Sequence, residues 1–243
     1  MRIVGIIQAR MGSSRLPGKV LRELSGRSVL GWVVRAARAA GSLDGLAVAT
    51  TAEPPDDAVA AECARLGVAC YRGPRDDVLT RFMRVVEDDA RCGAVMRFTA
   101  DCPLLDPDVI REAAEVFRVV PGLDYLSTSL PPALPRGTDV EIVGREALEE
   151  ADRKARGYHR AHVTSYVYTH PGRFRVLGLT HHPSAAHLRV TLDTEPDWQV
   201  IQRIVAKFGD QPVSVAELID WLHLHPEVAE LNAHVRQKSL QEA

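Results

Sequence analysis

The chain has 243 residues, enough for one large α/β domain with an ample core. Its 30 Lys and Arg stand against 32 Asp and Glu, a near balance that argues against a long nucleic-acid footprint. No apolar run reaches the ~18–20 residues of a membrane span, and the opening seven residues read as a strand rather than a cleavable leader.

Apolar runs alternate with amphipathic segments through the first half, which predicts a mostly parallel sheet with helices on both faces. Strands are expected at Ile3–Ala9, Leu46–Thr50, Ala69–Arg72 and Ala94–Thr99. Helices are expected at Ser28–Ala40, Asp56–Leu66, Asp77–Cys92 and Pro107–Val119, with Gly41 and Gly67 suited to end two of them. Asp106-Pro107 has the form of a helix start, an Asp cap followed by Pro at the first helical position. The texture then changes. LPPALPRGT at 130–138 is too rich in Pro for a central strand. Beyond it come a strand at Thr138–Val143, a helix at Arg145–Ala155, and strands at Phe174–Leu179 and His187–Leu192. The segment from about 130 to 190 is thus expected to leave the sheet and to carry substrate contacts or a subunit interface. Helices near Pro196–Phe208, Ser214–Leu222 and Pro226–Gln237 finish the chain. No internal repeat or linker divides residues 1–243, so a single domain is expected.

The most informative stretch is Ile6–Lys19, IIQARMGSSRLPGK. It sets Arg10, Arg15 and Lys19 around a turn built from Gly12, Ser13, Ser14, Pro17 and Gly18, and no acidic residue precedes Glu23. A strand leading into a basic, glycine-containing loop is how α/β proteins hold phosphates: Gly lets backbone N–H groups approach the anion, and Arg grips its oxygens. The loop is not a Walker loop, because five residues separate Gly12 from Gly18 and Val20 follows Lys19; GxGxxG is absent as well. The plain alternative is a solvated basic turn.

These residues resemble the N-terminal signature of the sugar-activating cytidylyltransferases, the group of CMP-Kdo synthetase and acylneuraminate cytidylyltransferase, and in particular its SpsF-type branch. The resemblance extends through RGPRDDVLTRF at 72–82, RFTADCPLLDP at 97–107, PRGTDVEIV at 135–143, HRAHVTSYVY at 159–168 and LDTEPDW at 192–198. It implies a Rossmann-like sheet of the nucleotide-diphospho-sugar transferase (GT-A-like) type. It also implies transfer of CMP from CTP to an acidic sugar, a ulosonic or nonulosonic acid, with release of pyrophosphate for polysaccharide or glycan synthesis. A homodimer is expected on the same ground. In this reading Arg10, Arg15 and Lys19 clamp the triphosphate, and Ala9, Gly12, Ser13, Ser14, Thr99 and Ala100 lie against the nucleotide. LDTEPDW departs from many relatives by placing Glu195 ahead of Pro196, which bears on the acid at the helix start rather than on Asp193.

An enzyme acting on a nucleoside triphosphate needs a cation against the phosphates, and Mg²⁺ takes one or two carboxylates besides phosphate and water oxygens. Asp101 follows the fourth expected strand, at the carboxyl edge where open α/β sheets bind ligands, and Asp193 ends a later one. The resemblance implies that these two hold the metal; the alternative is that each only caps a helix. For the acceptor, Arg136 suits a carboxylate, and Asp139 and Glu141 share one strand face by period-two spacing. His162, in the HVT segment, is expected on the acceptor side. No general base is assigned.

Competing readings stay open. One keeps the chemistry but takes GTP as donor, or a phosphonate or other small acid as acceptor. Asp106-Pro107-Asp108 is a DxD, as in metal-dependent glycosyltransferases, although Pro107 favours a helix cap. A nucleotide-binding regulatory module needs no pair of metal carboxylates. Among nine histidines, His159, His162, His170 and the pairs His181/His182 and His223/His225 invite a zinc reading, but none supplies a complete ligand set. Cysteines 63, 70, 92 and 102 form no CxxC pair, which suggests reduced thiols in a cytoplasmic protein. Cys102 is read as a small residue beside a site, not a nucleophile.

Overall fold

The computed structural model describes residues 1–237. Nine strands follow one another among these residues: β1 (Arg2–Gln8), β2 (Glu23–Leu24), β3 (Arg27–Ser28), β4 (Gly45–Thr51), β5 (Ala69–Gly73), β6 (Cys92–Thr99), β7 (Tyr125–Ser127), β8 (Glu141–Gly144) and β9 (Val176–Gly178). The helices are α1 (Val29–Ala39), α2 (Asp57–Leu66), α3 (Val78–Asp88), α4 (Pro107–Val119), α5 (Arg145–Lys154), α6 (Tyr158–Ala161), α7 (Ser165–Tyr168), α8 (Glu195–Phe208), α9 (Val215–Leu224) and α10 (Pro226–Ala229).

Seven strands form one sheet in the order β5-β4-β1-β6-β8-β7-β9, while β2 and β3 make a separate small ribbon. β5, β4, β1 and β6 run parallel; β8 is antiparallel to both its neighbours, and β9 is parallel to β7. Only β8 therefore opposes the rest. The alternation of β1 explains why helices cover both faces. Ile3 and Ile7 pack in a cluster with Leu30, Val33, Ile110 and Phe117 of α1 and α4, whereas Val4 and Ile6 join Leu79, Phe82 and Val86 of α3 and Leu148 of α5. A third cluster, including Trp32, Val190, Trp198, Ile201 and Leu218, attaches the C-terminal helices.

The expected α/β class and mostly parallel sheet hold, and the structure corrects several details. The 130–190 segment does not leave the sheet: it inserts β8 next to β6 and adds β9 at the edge. The expected strand at His187–Leu192 is an extended segment with one bridge, Arg136 to Arg189. Gly137, beside that bridge, turns the chain at φ +104°, where a Cβ would lie 2.5 Å from the Thr191 nitrogen. The Leu192 N–H instead reaches the Asp101 carbonyl at 2.8 Å. The last expected helix stops at Ala229, since Asn232 is drawn inward to Arg189 and Asp197. The three-residue strand β7 was not anticipated, being too short to show a period.

Candidate active site

The basic loop leaves β1 at the carboxyl edge of the sheet and is held from below. The Met11 N–H donates to Asp56 Oδ1 at 2.6 Å, and buried Asp56 also receives the Thr51 hydroxyl. The Met11 carbonyl accepts from the N–H groups of Ser13 and Gly18, both at 3.0 Å. Gly18, at φ +71°, turns the chain into the single 3₁₀ turn Lys19–Leu21 without the strain a side chain would add.

That turn aims Lys19 inward. Its side chain is buried, and Nζ lies 2.6 Å from Asp101 Oδ2 and 2.8 Å from Asp193 Oδ1. Arg15 and Arg189 add 2.9 Å and 2.7 Å contacts to Asp193 Oδ2. Although burial opposes ionisation, Lys19 and the two guanidiniums hold the Asp193 carboxyl down at about 2. The carboxylates raise the Lys19 ammonium against the opposing effect of burial. Asp197, wholly buried, completes the support: Arg189 Nε donates to it at 2.8 Å, and its Oδ2 accepts from the backbone of Asp193 and Thr194 at 3.0 and 2.9 Å. Asp197 also closes a capping box with Thr194 at the start of α8. The helix-start acid is therefore Asp197, and Asp193 faces the site.

Two cavities, of about 540 and 510 Å³, meet at this cluster. The smaller is lined by Ala9, Arg10, Gly12, Ser13, Ser14 and Lys19 of the loop, by Thr99 at the end of β6 and by Ala100 just beyond it. The larger is lined by Arg136, Asp139 and Glu141. Gln8, Arg15, Thr99, Asp101, His162 and Asp193 line both. Apart from Arg15, Thr99 and His162, which line both, the residues expected to serve a nucleotide and those expected to serve an acceptor line different chambers, with Asp101 and Asp193 at the junction. Their oxygens converge on one ammonium, and two carboxylates in such an arrangement suit Mg²⁺, which completes its shell with phosphate and water. No group of three or more His, Cys, Asp or Glu able to hold a metal occurs among the described residues.

The larger chamber has a firm floor. Both Glu141 oxygens are occupied, one by Arg97 and the other by the hydroxyls of Tyr125 and Thr164, while Arg97 Nε also donates to Gln8 at 3.0 Å. Glu141 is therefore in the wall, with its carboxylate already engaged. Asp139 precedes β8 yet faces the same chamber. Its one hydrogen bond within the described residues is a long 3.4 Å contact from the Gly137 N–H, and burial pushes its carboxyl up to about 6 despite nearby Arg136.

The competing motifs are accounted for locally. Asp106 caps α4 through the Asp108 N–H and accepts from the Val215 N–H, each at 2.8 Å, so it joins two helices rather than facing a chamber. Burial pushes the Cys102 thiol up to about 12, leaving little thiolate for nucleophilic work. His159 bonds Ser165 at 2.8 Å and His170 bonds the Tyr166 carbonyl at 2.7 Å, on the α6–α7 surface. Sequence reasoning missed Arg189, Asn232, Gln8 and Arg97. The only local sign was Arg189 four residues before Asp193; their partners lie far along the chain.

Comparison with known proteins supplies the family. A cytidylyltransferase family model matches residues 4–225. The spore coat polysaccharide biosynthesis protein SpsF of Bacillus subtilis is 35% identical over 236 residues, covering 93% of this chain and 96% of that protein. A 3-deoxy-manno-octulosonate cytidylyltransferase of Acidobacterium capsulatum is 55% identical over 53 residues, 22% of each chain. The solved cytidylyltransferase of Leptospira borgpetersenii superposes with a TM-score of 0.90 at 25% identity, covering 98% of this chain and 99% of that one. With the family model spanning most of the chain and a relative matched over nearly its whole length, the chain belongs to the cytidylyltransferase family, of the type that includes SpsF and the CMP-Kdo synthetases.

Proposed function

We propose that the protein transfers CMP from CTP to an acidic sugar, a ulosonic or nonulosonic acid, and releases pyrophosphate. The observation that carries this reading is the meeting of a basic chamber and a mixed-charge chamber at Arg15, Asp101 and Asp193. In-line attack requires such an arrangement, with the nucleotide's α-phosphorus at the junction, its pyrophosphate on the loop and the acceptor hydroxyl opposite. Phosphoryl-type transfer depends chiefly on positioning and charge stabilisation.

Arg10 and Arg15 bind the departing phosphates. Arg136, whose guanidinium donates no hydrogen bond within the described residues, takes the acceptor carboxylate, while Asp139 accepts from acceptor hydroxyls. His162, lining both chambers, borders the reacting pair. Asp101 and Asp193 would hold Mg²⁺, which when bound supplies charge neutralisation at the α-phosphate. The 3-deoxy-manno-octulosonate cytidylyltransferase relative supports a 2-keto-3-deoxy acid as the first acceptor to test.

The test is pyrophosphate release with Mg²⁺ from CTP, GTP, UTP and ATP against ulosonic acids, nonulosonic acids, phosphonates and small acids. Release with CTP and one acidic sugar, lost in Asp101→Asn, is the expected result. Release with GTP or a phosphonate alone would replace the donor or acceptor named here, and failure to bind any nucleotide would overturn the reading.

A further inference from the structure

We infer that Lys19 guards the cation site: its ammonium occupies the place between Asp101 and Asp193 until a triphosphate draws it away, so the divalent cation enters with the nucleotide and not before it. The inference rests on the two carboxylates being the metal site named above.

The geometry is that of an internal counter-ion. Nζ contacts both carboxylates at 2.6 and 2.8 Å, whereas a residue serving only as a phosphate clamp would point its charge into the basic chamber. The local charges already cancel. Lys19, Arg15 and Arg189 stand against Asp101, Asp193 and Asp197, and Asp193 alone touches all three cations. A bare divalent ion approaching this cluster must displace an ammonium from two short, charge-assisted contacts and then remain beside Arg15 and Arg189. Its own dehydration adds to the cost, since Mg²⁺ gives up water reluctantly.

A nucleoside triphosphate changes the balance. It brings several negative charges to the chamber that Lys19 and Arg15 already line, offering both a new partner. Lysine suits this exchange because its compact charge sits on a flexible four-carbon stem, so rotation of the side chain moves Nζ while the 3₁₀ turn stays in place. Arg189 does not exchange, being fixed to buried Asp197 on the other side. Cation and nucleotide must then bind with positive coupling, each raising the affinity for the other by the same factor.

The test titrates Mn²⁺ into the intact protein without nucleotide and follows the free ion by its EPR signal, in wild type, Lys19→Met and Lys19→Met/Asp101→Asn. Lys19→Met is expected to bind one Mn²⁺ per chain at least ~10-fold more tightly than wild type, and the double variant to lose that binding. Wild type is expected to retain Mn²⁺ through gel filtration only when CTP is present. Should Lys19→Met fail to melt cooperatively, wild type decides: tight Mn²⁺ binding without CTP overturns the inference, and binding only with CTP supports it. Equal affinity of wild type and Lys19→Met for Mn²⁺ alone also overturns it, while leaving the metal site standing. Absence of Mn²⁺ from both Lys19→Met and CTP-loaded wild type would instead remove the metal site itself, and the inference with it.

Discussion

The two chambers treat charge in opposite ways. On the nucleotide side, Lys19, Arg15 and Arg189 are matched by carboxylates within 2.6–2.9 Å, and their anchors reach back to buried Asp197. On the acceptor side, half-buried Asp139 has a single weak hydrogen bond and Arg136 donates none within the described residues. A paired cluster is stable while empty and, in the exchange inferred for Lys19, would change partners when phosphate arrives. An unpaired buried carboxylate is costly while empty, which is expected only where a ligand donates to it. Backbone direction follows the same division: the nucleotide chamber stands at the ends of parallel β1 and β6, and the acceptor wall is built around the reversed strand β8.

The largest loss is expected from Asp101→Asn, which should lower CTP-dependent pyrophosphate release by ~10³-fold or more while leaving the melting transition intact. Arg15→Ala comes next, with a fall in kcat of about 10²-fold (on the order of 3 kcal/mol) and a smaller change in acceptor KM. Arg136→Ala should act on the other chamber, raising acceptor KM about 30-fold with the KM for CTP unchanged. Parallel changes in both constants would mean that the chambers are not independent.

Asp139→Asn is expected to reverse the usual sign of a site mutation and stabilise the protein. A carboxyl raised to about 6 binds its proton more tightly in the folded state, so its stability contribution is full below about pH 4 and lost as pH climbs through about 6. The amide escapes that loss, giving a gain on the order of 2 kcal/mol at pH 8 that disappears near pH 4, while acceptor turnover falls. Melting curves at the two pH values, beside a turnover assay, check both halves. The smallest functional effect belongs to Asp106→Ala: it should cost about 2 kcal/mol of stability by uncapping α4 and orphaning the Val215 N–H, with turnover per folded molecule unchanged. Abolished turnover in a folded Asp106→Ala protein would revive the DxD reading.

What could be read from the sequence follows the distance over which each feature is determined. The parallel strands and the loop were legible because apolar runs, Gly18 and the cluster of basic residues are local signals. Asp101 and Asp193 were legible because each follows an apolar run, although only the folded chain brings them to one ammonium. The Asp139 pairing with Glu141 was legible only by period: both face one chamber, yet Asp139 lies outside β8 and Glu141 is engaged by Arg97, Tyr125 and Thr164. The His187–Leu192 segment has the apolar alternation of a strand but serves as a connection, because its hydrogen bonds go to Arg136 and Asp101 rather than to a neighbouring ladder. Arg189 left only its four-residue spacing to Asp193 as a sign, since its pairing with buried Asp197 is set by how the chain turns into α8.

Asn232 makes the setting of the junction depend on a residue that lines neither chamber. Its amide donates to the Arg189 carbonyl at 3.0 Å and to Asp197 Oδ1 at 2.8 Å, linking the turn after α10 to the buried pair that sets Asp193. The nucleotide loop and the sheet do not need that link, but the carboxylate at the chamber junction takes part of its mooring from it. The site thus has a remote lever: loosening the docked turn after α10 reaches Asp193 without touching either pocket.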